Sequence, residues 1–338
     1  MNKKKILVTG GLGFIGSHTV VELQREGFDV VIIDDLSNTR VEVLDGITAI
    51  SKIMPEFIQI DLKEKEAVST FFKNHQIDGV IHFAASKAVG ESVEQPLKYY
   101  ENNITSLVYL LKSMTEHKVP HIIFSSSCTV YGQADELPIT ESAPVKKAES
   151  PYGNTKQIGE EILQDVTAVS DLNAIALRYF NPIGAHESAL IGELPIGVPQ
   201  NLIPYVTQTA AGMREELSVF GDDYPTPDGT AVRDYIHVVD LAKAHISALQ
   251  RLLEARNKAK MEYFNVGTGM GSSVLDVINA FESVNQIKVK YKIVDRRAGD
   301  ITSAYANTEL ANTALGWKAE LGLKEALSSA WQWQLKQK

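Results

Sequence analysis

The chain has 338 residues, 44% hydrophobic and 22% charged, the balance of an ordinary globular protein with room for a large core. Its formal net charge of −9 argues against nucleic acid or an anionic membrane as partner, because both select clustered cations. A single cysteine, Cys128, rules out an intrachain disulfide and fits a reducing, cytoplasmic setting.

The first residues, Met1-Asn2-Lys3-Lys4-Lys5, are basic, but only Ile6-Leu7-Val8 follow before Thr9-Gly10. That apolar run is too short for a signal sequence and reads as a first strand. No apolar stretch approaches membrane-spanning length. β-Branched runs predict strands at Lys5–Val8, Asp29–Ile33, Glu56–Ile60, Gly79–Phe83, His121–Ser125 and Ala174–Tyr179. Helical spacing lies between them at Gly16–Glu26, Lys65–Asn74, Tyr99–His117 and Tyr152–Val169. The alternation predicts an α/β fold, a Rossmann-type doubly wound parallel sheet spanning residues 1–180. Beyond 180, Pro182, Gly184, Gly192, Pro195, Gly197 and Pro199 break the rhythm. Residues 181–338 read as a smaller α/β substrate-binding lobe, with the chain returning to the first lobe at Val238–Leu253.

Gly10, Gly13 and Gly16 follow the first strand and open a helix. Glycines there let backbone N–H groups approach a pyrophosphate at the helix N-terminus, where the dipole favours negative charge. Asp34 ends the second strand, 18 residues after Gly16. A carboxylate in that place accepts both ribose hydroxyls of NAD and repels the extra phosphate of NADP. Asp61 follows the third strand, within reach of an adenine amino group, and Phe83-Ala84-Ala85-Ser86 leaves room for a dinucleotide. His82 reads as a core histidine, and no histidine pair has zinc-helix spacing, so no metal is expected.

Tyr152 and Lys156, in Ser150-Pro151-Tyr152-Gly153-Asn154-Thr155-Lys156, share one face of a helix. An ammonium beside a phenol favours the phenolate. From about 10, a base useful near neutral pH needs a shift of roughly three units, or about 4 kcal/mol. One lysine does not supply that alone; a cationic nicotinamide beside it supplies more. Upstream, Ser125-Ser126-Ser127 end a strand, where a hydroxyl can polarise a substrate oxygen. The set is built to take a proton from an alcohol while a cofactor takes the hydride.

These pieces, with Ser127-Cys128-Thr129-Val130-Tyr131-Gly132 and Arg178-Tyr179-Phe180-Asn181-Pro182-Ile183-Gly184-Ala185-His186, resemble the extended short-chain dehydrogenase/reductase superfamily over essentially the whole chain. Phe220-Gly221-Asp222-Asp223-Tyr224-Pro225-Thr226, Asp228-Gly229-Thr230 and Val232-Arg233-Asp234-Tyr235-Ile236-His237-Val238 are similar to its UDP-glucose 4-epimerase family. The resemblance implies Ser127, Tyr152 and Lys156 as the catalytic set. It implies NAD held by Gly10, Gly13, Phe14, Ile15, Gly16, Asp34, Asn38, Asp61, Leu62, Phe83, Ala84, Lys87, Asn102 and Phe180, with Tyr152 and Lys156. It implies a UDP-sugar held by Asn181, Asn201, Leu202, Phe220, Arg233, Tyr235, Arg297 and Asp300, beside Ser127 and Tyr152. Arginine's planar fork suits diphosphate capture, so Arg233 and Arg297 are sensible anchors, whereas Arg251 and Arg256 read as surface ion pairs. The family also implies a homodimer built through Tyr99–His117 and Tyr152–Val169.

Nucleotide-sugar dehydratases share this scaffold but place an Asp-Glu pair after the catalytic serine or threonine. Cys128 and Thr129 stand there, and neither is an acid at neutral pH. Epimerases of UDP-glucuronate or another nucleotide sugar remain alternatives, and the intact Ser127, Tyr152 and Lys156 argue against a non-catalytic NAD sensor. In the family, the residue at position 304 borders the sugar's 2-position. Ala304 removes bulk there, which makes room for an N-acetyl group.

Overall fold

The computed structural model describes residues 3–297 and 300–337. Its strands are β1 (Lys5–Thr9), β2 (Asp29–Asp34), β3 (Glu56–Gln59), β4 (Gly79–His82), β5 (His121–Ser127), β6 (Asn173–Tyr179), β7 (Asn181–Ile183), β8 (Leu217–Phe220), β9 (Val232–His237), β10 (Met261–Val266), β11 (Gly271–Ser273), β12 (Tyr291–Val294) and β13 (Ser303–Ala304). Its helices are α1 (Phe14–Arg25), α2 (Val43–Ser51), α3 (Lys65–Asn74), α4 (Val89–Glu94), α5 (Pro96–Tyr100), α6 (Ser106–Glu116), α7 (Pro151–Val169), α8 (Leu202–Ala210), α9 (Val238–Leu253), α10 (Val274–Asn285) and α11 (Leu323–Leu335).

Seven parallel strands form the main sheet in the order β10-β6-β5-β4-β1-β2-β3. Because side chains alternate along a strand, Ile6 and Val8 pack on one face while Leu7 packs on the other. The first face is covered by α1 and α9 through Val20, Leu23, Leu241 and Leu249. The second is covered by α3, α6 and α7 through Phe71, Leu107 and Leu163. Burial on both faces explains why these strands read as continuous apolar runs. The chain winds outward from β1 to β3, then reverses through β4, so a crevice opens above the C-terminal ends of β1 and β4.

The sheet is not confined to residues 1–180. Strand β10 pairs with β6 in register from Met261↔Ala174 to Val266↔Tyr179. Arg251 is buried rather than superficial: its Nε and Nη2 lie 2.7 and 2.9 Å from the Glu262 carboxylate, tying α9 to β10. Met-Glu-Tyr-Phe-Asn-Val lacks the β-branched run that marks the other strands, which is why it escapes a sequence reading. The rest of the second half forms a four-strand sheet (β11-β9-β13, with β7 on β9), a β12-β8 pair, and α8, α10 and α11 around Val206, Phe281 and Trp331.

The helix expected over Tyr99–His117 is interrupted. A π turn at Glu101–Thr105 joins α5 to α6. Such wide turns re-aim side chains and recur at functional sites. Here Asn103 bonds Ser86 N (2.8 Å), Ser86 O (3.0 Å) and Thr155 Oγ1 (3.0 Å), fixing the segment after β4 against α7.

Candidate active site

The crevice between the main sheet and the second lobe is a cleft of about 1750 Å³. This exceeds the usual range for one small ligand, roughly 300–1,000 Å³, and suits two large ones side by side. Every residue singled out above for cofactor, substrate or chemistry borders it, from Gly10 to Ala304.

On the cofactor wall, Gly10 takes φ +68°, and a Cβ there would lie 2.8 Å from Ala84 N, so only glycine closes the turn. Gly13 caps α1 without a side-chain oxygen, and the first turn holds no acidic residue. The amides of Phe14, Ile15 and Gly16 therefore keep their donors for an anion. Asp34 is buried, accepting from Leu12 N (3.1 Å) and Leu36 N (3.0 Å). Burial pushes its carboxyl above the usual value, and those amides oppose the rise. Open amides at the turn, a carboxylate at the end of β2 and small residues after β4 fit a dinucleotide such as NAD. Lys63, which the sequence did not single out, links this wall: it pairs with Asp61 at 2.9 Å and donates to Asn102 Oδ1 at 3.0 Å.

Deeper in the cleft stand Ser127, Tyr152 and Lys156. Strand β5 runs two residues further than expected, so all three serines belong to it. Ser127 Oγ accepts from Thr129 N at 3.2 Å. Ser150 caps α7 by accepting from Gly153 N at 3.1 Å, and Pro151 begins the helix, which seats Tyr152 in its first turn. Lys156 Nζ donates to Ser125 O at 2.6 Å and lies over the rings of Phe124 (5.1 Å) and Tyr152 (5.8 Å). Burial pushes Tyr152 up to about 12, with the Ser127 hydroxyl opposing. Burial brings Lys156 down to about 7, with Glu160 opposing. With protein groups alone, then, desolvation outweighs the lysine–phenol attraction expected from the sequence, and both groups lean toward neutrality.

Behind them lies a network that sequence reasoning missed. Arg178 makes two contacts to Glu160, Nε–Oε1 at 2.9 Å and Nη2–Oε2 at 2.6 Å, while Ser126 Oγ donates to Oε1 at 2.5 Å. The guanidinium also sits over the rings of Tyr263 (4.6 Å) and Tyr131 (5.0 Å). A signal existed: Glu160 lies one turn past Lys156, and Arg178 interrupts an apolar strand.

On the opposite wall, Asp300 gathers both expected anchors, Arg233 at 2.5 Å and Arg297 at 3.6 Å, and Arg297 lies over the Phe220 ring. Asn181 pairs in register with Tyr235, and Ala304 with Arg233. Ala304 is 1% exposed and packs with Val130, Ile139 and Phe180. Asn201 stands at the N-cap of α8, and its side chain bonds not to the helix but to Glu193. Among the described residues, no group of three or more His, Cys, Asp or Glu could hold a metal ion. His82, 3% exposed, is bonded to Thr9 at 2.7 Å within the core.

A family profile described as GDP-mannose 4,6 dehydratase matches residues 7–330. The UDP-glucose 4-epimerase of Bacillus subtilis is 50% identical over 97% of this chain and 96% of its own length. That of Drosophila melanogaster is 48% identical over 97% and 96%. Among solved structures, a UDP-glucose 4-epimerase from Stenotrophomonas maltophila with bound NAD and formylated UDP-arabinopyranose matches with a TM-score of 0.95 and 48% identity, covering 99% of this chain and 98% of that one. The enzyme from Bifidobacterium longum in complex with NAD+ and UDP matches with a TM-score of 0.94 and 47% identity over 98% of each chain. Identity near one half along the full length, on a shared parallel-sheet scaffold, leaves a single assignment: the chain belongs to the UDP-glucose 4-epimerase family of the extended short-chain dehydrogenases/reductases.

Proposed function

We propose that the protein interconverts UDP-galactose and UDP-glucose by oxidising the sugar at C4 and reducing it again on the opposite face. The reading rests on one observation: Ser127, Tyr152 and Lys156 share a cleft with an open helix N-terminus on one wall and two arginines on the other. Removing a proton from C4 directly would fail, since no neighbouring carbonyl stabilises the carbanion. NAD, held by the glycine turn and Asp34, would supply reversible hydride transfer at C4, and its cationic ring would favour the Tyr152 phenolate.

The protein's own groups do the rest. Tyr152 takes the proton of the 4-hydroxyl and later returns it, and Ser127 donates to the same oxygen. Lys156 orients the phenol and holds its anion. Arg233 and Arg297 clamp the diphosphate, so the 4-keto sugar can turn over while its UDP tail stays fixed. The residues up to 180 supply the cofactor contacts, and those after it supply the contacts to the UDP part of the sugar nucleotide. Cys128 and Thr129 offer no acid for the elimination a dehydratase requires; burial pushes the Cys128 thiol up to about 11.

The test is to incubate the purified protein with UDP-galactose deuterated at C4, without added dinucleotide, and separate the products. UDP-glucose that keeps its label is expected. Loss of label to solvent, or undiminished activity after the dinucleotide is stripped, refutes the proposal.

The reading extends to UDP-N-acetylglucosamine and UDP-N-acetylgalactosamine, because Ala304 places only a methyl group at its point on the wall. Ala304→Tyr is expected to lower turnover of the acetylated pair about a hundredfold while largely sparing UDP-galactose. Unchanged acetylated activity in that variant removes the gate assignment. A homodimer belongs to the same proposal: Val108 on α6, with Val93 and Leu97 before it, is solvent-exposed beside α7. So does a reducing, cytoplasmic location, which the lone Cys128 supports.

A further inference from the structure

We propose that Glu193 is a positioning residue that fastens the nucleotide-sugar side of the cleft to its cofactor side. One carboxylate oxygen, Oε1, lies 3.0 Å from Lys87 Nζ and 2.6 Å from Asn201 Nδ2. Lys87 follows β4 on the cofactor wall, and Asn201 opens α8 in the second lobe. A single atom thus bridges the two walls.

The loop carrying Glu193 is anchored on its other side. Trp333 Nε1 donates to Glu193 O at 2.8 Å, and Gly192 lies flat on the same indole, where a Cβ would come within 2.5 Å of Cγ. That anchor fixes the backbone and leaves the carboxylate as the part facing the cleft. The Glu193 side chain is only 13% exposed, whereas Lys87 is 52% exposed and its ammonium also approaches the Phe14 ring at 5.9 Å. Such a pair adds little to stability. Its effect is on geometry.

A carboxylate can only accept, so it dictates which end of the Asn201 amide faces it. The NH2 group turns to Glu193, and Oδ1 with the second N–H remains for a ligand. The inference rests on the reading of Lys87 as a cofactor contact and Asn201 as a sugar contact. A cofactor that orders Lys87 then also orders Glu193 and, through it, Asn201. Binding on one wall is coupled to binding on the other.

The test uses the purified holoprotein with Glu193→Gln, which keeps the shape and an acceptor but loses the charge, and Glu193→Ala, which loses both. Two quantities are read: KM and kcat for UDP-galactose, and the dinucleotide retained after desalting at low and high salt. Glu193→Ala is expected to raise KM about tenfold with kcat changed less than about threefold. It should also shed dinucleotide under salt at which the wild type retains it, and Glu193→Gln should fall between. Adding Glu193→Gln to Lys87→Met should cost no further retention beyond Lys87→Met alone, because Glu193 acts on the cofactor only through Lys87. Wild-type KM and retention in both variants overturn the inference, and so does a fall in kcat with KM and retention unchanged. Wild-type protein that interconverts no sugar refutes the epimerase reading instead, while dinucleotide retention still judges the Glu193–Lys87 link.

Discussion

Replacing Tyr152 by phenylalanine is expected to reduce turnover about 10³- to 10⁴-fold while the dinucleotide stays bound. The substitution removes one oxygen and keeps the ring that Lys156 faces. The proposed cofactor contacts at Asp34 and the turn around Gly10 are held by bonds and backbone that do not involve the phenol, so they remain in place. Among the described residues beside it, neither replaces the phenol: Ser127 carries an aliphatic hydroxyl, a much weaker acid than a phenol, and Lys156 Nζ already donates to Ser125 O. The pH profile should change with the rate. In the wild type, kcat falls as pH drops through the apparent pKa of the phenol. In Tyr152→Phe the residual rate should be nearly flat over the same range. Near-normal turnover, or an unchanged profile, excludes Tyr152 as the base.

Why Tyr152 could be found without coordinates, and its surroundings could not, follows from how each is encoded. The glycine turn, Asp34 and the Tyr152–Lys156 pair are local patterns, each set by a few residues of fixed spacing on one element. The strands up to β6 were legible for a similar reason, since burial on both faces writes itself as an apolar run. Strand β10 is different. Its partner β6 lies more than 80 residues earlier in the chain, and only that pairing makes Met261–Val266 a strand. The π turn at Glu101–Thr105 was equally hidden, because one extra residue in a helical turn leaves the apolar period almost intact. Contacts across the cleft were the least legible. Asp300 stands three residues past Arg297 in one local segment, whereas Glu193 lies in a Pro- and Gly-rich stretch that offers no period and no motif. The charge balance at Tyr152 also required coordinates, because desolvation depends on how much of the molecule surrounds the phenol, not on its neighbour four residues away.

That same desolvation makes Glu160 the residue whose loss should most weaken the fold around the site. Glu160→Leu would leave Arg178, 5% exposed, without its paired carboxylate, and Lys156, 4% exposed, without the nearby negative charge that holds its pKa up. Breaking a buried pair by removing one partner typically costs about 3–5 kcal/mol, because the surviving charge stays desolvated. The urea midpoint should fall accordingly. Removing both partners, as Glu160→Leu with Arg178→Leu, should recover part of the deficit, since an apolar pair of similar volume is often no less stable. Lys156 gives the deficit a pH dependence. Its folded pKa, about 7, lies below the unfolded value, so its burial opposes folding fully below pH 7, and the penalty fades as pH rises toward the unfolded pKa. Glu160 holds that folded pKa up; without it the pKa drops further, and the added penalty is greatest on the acid side. The gap between Glu160→Leu and wild type should therefore be wider near about pH 6 than near about pH 9. A gap that stays constant across that range would show that Glu160 stabilises through Arg178 alone, and an unchanged midpoint would show that the pair contributes nothing to the fold.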